Sequence, residues 1–284
     1  MINEPPRWIV LKFGGTSVST AATWSTIARI LRDRIDQGYR PLVVHSALSG
    51  VTELLELLAS QALTGEHAAL LSEIDARHDD LARDLRLEGD EWISLIAEDR
   101  QELKELAESV KVVGQLTSQT RAHLLSLGER MATRIGAAYL EQAGIPVSWL
   151  DARELLASED QTIARASSYL SAECDAEADQ NLLSQLEQLE GVPLTQGFTA
   201  RNAEGETVVL GRGGSDTAAA YLAGKLSAEH LEIWTDVPGM FTADPHVVPS
   251  ARLLRQLDYS EAQEIATTGS RVLHPRCIPA LKDR

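Results

Sequence analysis

Short apolar runs that end in glycine turns recur along this 284-residue chain, and they constrain its fold more than any other feature. The first run covers residues 8–13 and ends at Gly14-Gly15, and the second covers residues 41–46 and ends at Ser49-Gly50. A helical pattern follows each turn, over residues 21–34 and 52–63. Strand, glycine turn and helix in repetition are typical of α/β proteins. We therefore predict an α/β fold with a mainly parallel central sheet between helices.

The rest of the chain continues this pattern without a repeat or a linker, so we predict one domain over residues 1–284. Further strands are expected at residues 145–150, 193–198, 207–211 and 231–235, and further helices at residues 115–142 and 176–190.

Helix-end signals support three of these helices. Gly144 and Gly191 stand where a left-handed C′ residue is expected. Ser260 and Gln263 have the spacing of a capping box, which predicts a helix from that point to Gly269.

Residues 53–110 interrupt the alternation, because they have a helical pattern throughout and little strand signal. This segment holds 16 acidic and 5 basic residues, which is most of the negative charge of the chain. We interpret it as a solvated helical excursion that covers the sheet. An acidic docking surface for a partner is the alternative, and nothing specific in the sequence supports it.

The overall charge argues against polyanionic partners. With 26 basic and 42 acidic residues the formal net charge is −16, which repels nucleic acid and anionic membranes. No apolar run approaches the about 18 residues of a membrane span, and the N-terminus lacks the pattern of a secretory signal. Cys174 and Cys277 show neither disulfide nor zinc spacing. We therefore expect a cytoplasmic protein.

The first glycine segment is predicted to cradle a phosphate. Gly14 and Gly15 allow backbone amides to approach a phosphate closely, and Lys12 supplies a full positive charge. Thr16 and Ser17 can donate further hydrogen bonds. The segment is not a Walker A loop, and a tight turn beside a surface lysine is the alternative.

Two later segments also end strands in polar loops. Arg212 lies among Gly211, Gly213 and Gly214, which leaves its guanidinium free to meet an anion; Ser215 or Asp216 alone would be explained as a helix cap. Ligands of parallel sheets bind beyond the carboxyl ends of strands, where Thr235 and Asp236 are expected. Ordinary β-turns are the alternative for that last segment.

Together the three loops favour phosphoryl transfer between anions. If the acceptor is a carboxylate, no general base is needed, because the nucleophile is already ionised. The barrier is then mainly the approach of two anions and the charge on the transferring group. Lys12, Arg212, backbone amides and a Mg²⁺ ion carried by the nucleotide are suited to both tasks.

At this point the chain resembles the aspartokinases of the amino-acid kinase superfamily. The resemblance rests on six segments, which occur in the order of that family: residues 12–18, 126–131, 195–198, 210–216, 234–239 and 272–275. It implies a three-layer fold, with residues 53–110 as the insertion of the larger aspartokinases. It also implies phosphorylation of the side-chain carboxylate of L-aspartate by ATP, the first step towards lysine, threonine and methionine.

The resemblance implies roles for particular residues. Lys12 and Asp216 would be catalytic, with Asp216 positioning Lys12. Arg212 would hold a carboxylate of aspartate and Glu129 its ammonium group. The remaining substrate contacts would come from Ser46, Thr52, Phe198, Gly213, Gly214 and Ser215. The nucleotide contacts would come from Lys12, Gly14, Gly15, Thr16, Ser17, Thr235, Asp236, Phe241, His246, Arg271 and Val272.

Three of these positions depart from the family pattern. Phe241 stands where the family commonly has Tyr, His246 where it usually has Arg, and Arg271 where it usually has Lys. The first change removes a hydroxyl but keeps stacking, and the last keeps charge but changes geometry. We expect altered affinity for the nucleotide rather than loss of activity.

The length of the chain is the largest departure. Aspartokinases usually carry C-terminal ACT domains, which are absent before Arg284, as is the last strand of the kinase fold. We therefore expect this chain to be the N-terminal part of a longer enzyme that forms homo-oligomers. That enzyme could be one of the fusions with homoserine dehydrogenase or diaminopimelate decarboxylase. Two alternatives remain: a nucleotide-binding module without turnover, and another amino-acid kinase such as glutamate 5-kinase. Glu129 and residues 234–239 argue against the latter.

Overall fold

The computed structural model describes residues 7–87, 91–159, 165–268 and 272–282. The strands are β1 (Arg7–Phe13), β2 (Tyr39–His45), β3 (Val147–Leu150), β4 (Val192–Gln196), β5 (Thr199–Arg201), β6 (Thr207–Val209) and β7 (His230–Trp234). The helices are α1 (Ala21–Asp36), α2 (Val51–Gln61), α3 (Ala68–Asp84), α4 (Glu91–Val113), α5 (Ser118–Gln142), α6 (Ala152–Leu155), α7 (Arg165–Leu170), α8 (Gln180–Glu187), α9 (Gly214–Lys225), α10 (Tyr259–Thr267) and α11 (Cys277–Leu281).

Five parallel strands form the central sheet, in the order β3-β4-β2-β1-β7. The central strand β1 pairs Leu11 with Val43 of β2 and with Glu232 of β7. Six of its seven residues are buried, as expected for a strand covered on both faces. The predicted α/β class with a mainly parallel sheet is therefore confirmed.

Helices cover both faces of this sheet. Ile9, Leu11 and Phe13 of β1 belong to one core, with α1 to α5, whereas Trp8 and Val10 belong to the other, with α8, α9 and α11. Alternate residues of one strand thus enter opposite layers.

In the described part of 53–110 the chain forms most of α2, α3 and most of α4, and these helices pack against the sheet. Ile74, Ile96 and Leu103 are almost fully buried in the same core as β1. Its acidic residues lie mainly on the outer face, as in an amphipathic helix.

The strands predicted at 193–198 and 207–211 are placed differently. Strand β4 ends at Gln196, and Phe198 then adopts a left-handed conformation with φ 64° that turns the chain back. The following β5 pairs with β6 in a separate antiparallel hairpin, so residues 207–211 do not extend the parallel sheet.

Helix ends also differ in part from the prediction. Gly144 follows α5 with φ 77°, as predicted for C′. Gly191 is not the C′ residue of α8, which ends at Glu187; it forms the turn into β4, where a Cβ atom would lie 2.4 Å from the carbonyl oxygen of Pro146.

The predicted capping box is wrong by two residues. Asp258 and Glu261 form it at the start of α10, instead of Ser260 and Gln263, because the helix begins two residues earlier than the sequence pattern indicated. Gly269 lies outside the described residues.

Within the described ranges, no helix is both long enough and apolar enough to cross a membrane.

Candidate functional site

A cleft of about 850 Å³ opens at the carboxyl ends of β1, β2, β4 and β7. This edge is where ligands of parallel α/β sheets bind. Each strand is followed there by a loop that lines the cleft, and the three glycine segments predicted from the sequence all meet in it.

A buried lysine and an aspartate meet in this cleft. Lys12 is the second-last residue of β1. Its Nζ atom contacts the carboxylate of Asp216, and the lysine side chain is only 9% exposed. Asp216 lies in the first turn of α9, where the helix dipole favours a negative charge. The pair holds the ammonium group in a fixed position at the wall of the cleft.

Glu129 of α5 is a buried acid with an incomplete set of partners. Its Oε1 atom accepts a hydrogen bond of 2.7 Å from the Ser215 hydroxyl, whereas Oε2 has no hydrogen-bond partner in the described ranges. Burial raises the pKa of Glu129 to about 7; Ser215, the Ala47 amide and Lys12 lower it without offsetting burial. An unsatisfied buried oxygen is unfavourable unless a ligand supplies its donor.

Arg212 is an exposed cation beside the cleft, and it forms no ion pair with any residue that the structure describes. Its neighbours Gly211 and Gly213 have φ values of 75° and 66°. A Cβ atom at Gly213 would lie 2.4 Å from the side chain of His274, so only glycine fits there. The loop therefore has a rigid shape and a free guanidinium group.

Helices that begin in the cleft lack side-chain caps. The short 3₁₀ turn Thr16–Val18, α2 and α9 begin after Gly15, Gly50 and Gly213, and no side chain in the described chain caps them. In contrast, Thr20, Thr117, Asp179 and Asp258 cap α1, α5, α8 and α10. Uncapped amides at a helix N-terminus are available to bind an anion.

Hydrogen bonds hold the loops of the cleft together. The Ser19 hydroxyl donates to the carbonyl oxygen of Gly15 at 2.6 Å and accepts from the Ser49 amide at 2.8 Å. The Gly14 amide donates to the carbonyl oxygen of Trp234 at 3.2 Å. These bonds join the loops after β1, β2 and β7, so the glycine segment has a fixed position relative to both neighbours.

Most of the predicted site residues share this cleft. Those that line it are Lys12, Gly14, Gly15, Thr16, Ser46, Thr52, Glu129, Phe198, Arg212, Gly213, Gly214, Ser215, Asp216, Thr235 and Asp236. Ser17 lines a smaller hollow beside it, which shares Thr16, Thr235 and Asp236 with the cleft.

The other predicted nucleotide contacts do not line the cleft. Phe241 bridges to Leu253, and the side chain of His246 is 89% exposed beside Asp244. Val272 is not among the lining residues either, and Arg271 lies outside the described residues.

Sequence reasoning missed one wall of the cleft. Arg121 and Leu125 line it together with Glu129, and Arg121 forms an ion pair with Glu56 of α2. The spacing of four residues between successive members places all three on one face of α5. This spacing is the sequence signal by which Arg121 and Leu125 could have been found.

Comparison with known proteins places the chain among kinases. The model of the amino acid kinase family matches residues 7–284. Lysine-sensitive aspartokinase 3 of Escherichia coli (strain K12) is 36% identical over 280 residues, which cover 96% of this chain and 59% of that protein. An aspartokinase of Chlamydia trachomatis is 33% identical, with the same shares covered.

The solved structures agree with this. Escherichia coli aspartokinase III in complex with aspartate and ADP matches with a TM-score of 0.82 and 34% identity, covering 96% of this chain and 59% of that one. The chain thus spans about 59% of the length of these relatives. Because the family model matches nearly its whole length, the chain belongs to the amino acid kinase family.

Proposed function

We propose that the chain transfers the γ-phosphoryl group of ATP to the side-chain carboxylate of L-aspartate, which gives 4-phospho-L-aspartate and ADP. One observation carries this proposal. The cleft combines a buried carboxylate oxygen on Glu129, which has no hydrogen-bond partner among the described residues, with two cations, Lys12 and Arg212. An amino acid with a second carboxylate has the charges that match these three groups.

In this proposal, Glu129 and Arg212 bind the amino acid. The ammonium group donates to Oε2 of Glu129, which completes the partners of that carboxylate and favours its ionised form. Arg212 binds a carboxylate through its guanidinium, which has no competing ion pair among the described residues. Ser46, Thr52 and Phe198 line the same cleft.

Lys12 acts on the transferring group. An oxygen of the substrate carboxylate attacks the γ-phosphorus, the bond to the bridging oxygen of the β-phosphate breaks, and ADP leaves. No proton has to be removed, since a carboxylate is ionised at neutral pH. The Lys12 ammonium, held by Asp216, stabilises the negative charge on the phosphoryl oxygens as they pass between the two partners.

The nucleotide is proposed to lie along the loops after β1 and β7. Gly15 and Thr16 offer uncapped amides to its phosphates, and Gly14, whose amide is bonded to Trp234, lines the cleft together with Thr235 and Asp236. Contacts from Ser17, Phe241, His246, Arg271 and Val272 stay predictions.

Magnesium is proposed to enter with the nucleotide. No group of three His, Cys, Asp or Glu side chains in the described ranges is placed to hold a metal ion, so phosphate oxygens would be its main ligands. When bound, Mg²⁺ neutralises part of the phosphate charge.

The relatives suggest a wider context. We propose that the reaction opens the route to lysine, threonine and methionine in the cytoplasm, and that the chain works as part of a homo-oligomer. The first relative is named for its sensitivity to lysine, and others are bifunctional aspartokinase/homoserine dehydrogenases, such as one of Zea mays that is 31% identical.

Trapping the acyl phosphate tests the proposal. The 284-residue chain is incubated with ATP, Mg²⁺ and hydroxylamine, and the hydroxamate is measured with L-aspartate and, in parallel, with L-glutamate. We expect product with aspartate only, and none with the Lys12→Ala variant.

The other outcomes separate the alternatives. Product with glutamate alone would indicate a different amino-acid kinase. No product with either, while ATP–Mg²⁺ raises the melting temperature, would indicate a nucleotide-binding module without turnover.

A further inference from the structure

Helix α5 presents two faces with different tasks. Arg121, Leu125 and Glu129 line the cleft. Arg130 and Arg134 lie on the adjacent face and contact α4. Since successive helical residues point about 100° apart, Glu129 and Arg130 are fixed to each other but aim at different neighbours.

The contact with α4 is a buried cluster of charges. Asp99 is completely buried, with its carboxylate 2.6 Å from the Nη2 atom of Arg130 and 3.1 Å from Nε of Arg134. Arg130 also donates a hydrogen bond of 3.0 Å to Glu102, and Glu102 lies 2.8 Å from the ring of His123. Burial raises the pKa of Asp99, and the two guanidinium groups lower it.

Each of these charged groups lies within ion-pair distance of an opposite charge, although neither oxygen of Asp99 forms a hydrogen bond of ordinary geometry among the described residues. Ile96, Leu103 and Ala107 of α4 are buried beside the cluster, but apolar packing alone tolerates small rotations. A guanidinium group between two carboxylates does not tolerate such rotations, because any rotation of the helix about its axis separates buried opposite charges.

We propose that Arg130, held by Asp99 and Glu102, is a positioning residue that sets the rotation of α5 and thereby the place of Glu129 in the cleft. The part of this that concerns substrate rests on the proposed function. Arg130 itself does not line the cleft. The helical layer therefore contributes to recognition of the amino acid without touching it.

The close packing of α5 against α2 supports this role of Arg130. At Gly128 a Cβ atom would lie 2.7 Å from Leu55 of α2, so α5 already packs as closely as its backbone allows. Glu129 reaches Ser215 from that position. Helix α5 is thus held between α2 and α4. Its contact with α2 combines apolar packing with the partly exposed Arg121–Glu56 pair, whereas the charges of its contact with α4 include the fully buried Asp99.

The first test is the kinetics of Arg130→Met, which keeps the aliphatic stem and removes the charge. We expect the KM for aspartate to rise about tenfold, while kcat at saturating aspartate and the KM for ATP change less than about twofold. Arg130→Lys, which keeps the charge, should recover part of the affinity. The double variant Asp99→Asn/Arg130→Met should match the single one in KM, because both remove the same constraint.

The matched control is Arg100→Met. Arg100 also lies between two carboxylates, Asp75 at 3.1 Å and Asp79 at 2.5 Å, but it joins α4 to α3 rather than to α5. It should lower the melting temperature without changing the KM for aspartate. Equal rises of KM in Arg100→Met and Arg130→Met would show a general loss of packing and overturn the proposal.

A second readout does not depend on the substrate. The pKa of Glu129, about 7, is measured by carbon NMR of glutamate-labelled protein and assigned with Glu129→Gln. In Arg130→Met we expect this pKa to fall towards 4.5, because a displaced carboxylate reaches water, and in Arg100→Met we expect no change. An unchanged pKa in Arg130→Met overturns the proposal, whereas failure of the proposed function shows separately, as absence of aspartate phosphorylation in the unmodified chain.

Discussion

Buried charge is arranged differently in the cleft and in the helical layer beside it. In the cleft, Glu129 is buried with one oxygen unpartnered among the described residues, and Arg212 forms no ion pair there. In the layer formed by α4 and α5, Asp99 is also buried, and its carboxylate lies within ion-pair distance of two guanidinium groups. The cleft thus contains an open set of charges, in which some groups have no partner among the described residues. The helical layer contains a closed set, in which each charge lies in an ion pair.

This difference distinguishes residues that bind a ligand from residues that hold the helices in place. A buried charge without a partner is unfavourable and is retained where a ligand supplies the partner, whereas a closed set of charges fixes the geometry of neighbouring helices. Helix caps follow this division only in part: α2 and α9 begin uncapped in the cleft and α5 and α10 have caps elsewhere, but α3 and α11 also begin without a side-chain cap.

Two buried lysines give the largest contrast. Lys12→Ala should lower kcat about 10³-fold with little change in KM, because the lost contact is made to the transferring group. Lys225 is as buried as Lys12, but it pairs with Asp175 at 3.0 Å, outside the cleft. Lys225→Ala should lower the melting temperature and leave the kcat of folded protein unchanged. If both variants lost turnover alike, the division would be wrong.

Glu129 should make the unliganded chain less stable as pH rises. Its pKa is about 7 in the folded state and 4.5 as the ordinary value, so folding takes up protons between these pH values and stability falls as pH rises through them. Glu129→Gln removes this loss and should be more stable by about 3 kcal/mol above pH 7, with a difference near zero below about pH 4.5.

Urea unfolding at several pH values measures this difference. His45 and His78, whose pKa values burial lowers to about 4, make stability rise between about pH 4 and 6.5. They are present in both proteins and cancel in the comparison. A difference that did not depend on pH would mean that Glu129 is not a buried acid.

Arg212 and Arg34 compare a free guanidinium with a paired one. Arg212→Ala should raise the KM for aspartate about 30-fold and leave the melting temperature unchanged, because the side chain binds the ligand and has no ion-pair partner to lose among the residues that the structure describes. Arg34→Ala breaks a contact of 2.7 Å with Glu232 and should show the reverse, a lower melting temperature and an unchanged KM. Steady-state kinetics and thermal unfolding of both variants provide the check.

The smallest effect is expected at Ser19, which joins two loops of the cleft. Ser19→Ala loses the bonds to Gly15 and Ser49, and it should raise the KM for ATP several-fold and lower stability by about 1 kcal/mol. Ser184→Ala loses a bond of the same kind to Gln180 within α8 and should leave both KM values unchanged. An equal effect of both would argue against a link between the loops.

The centre of the parallel sheet was predictable because β1 and β2 are largely buried and are followed by glycine turns. Residues 8–13 form a run that is apolar except for Lys12, and such runs have few alternatives in a chain of this length. The hairpin of β5 and β6 was not predictable, since it depends on Phe198 in a left-handed conformation that side chains other than glycine rarely adopt.

The glycine segments of the cleft were also predictable, because glycine, lysine and arginine at strand ends limit the chemistry. Arg121 and Leu125 were not found, as their role depends on which face of α5 turns towards the sheet. The cluster around Asp99 depends on the packing of α4 against α5, which pairs residues about 30 positions apart in sequence.

The most direct test of the division compares aspartate with succinate, the same dicarboxylate without an amine, in the unmodified chain and in Glu129→Gln. If the open oxygen of Glu129 receives the ammonium group, the variant should raise the KM for aspartate about 30-fold and change the inhibition constant of succinate less than about threefold. Equal weakening of both ligands, or of neither, would contradict the account.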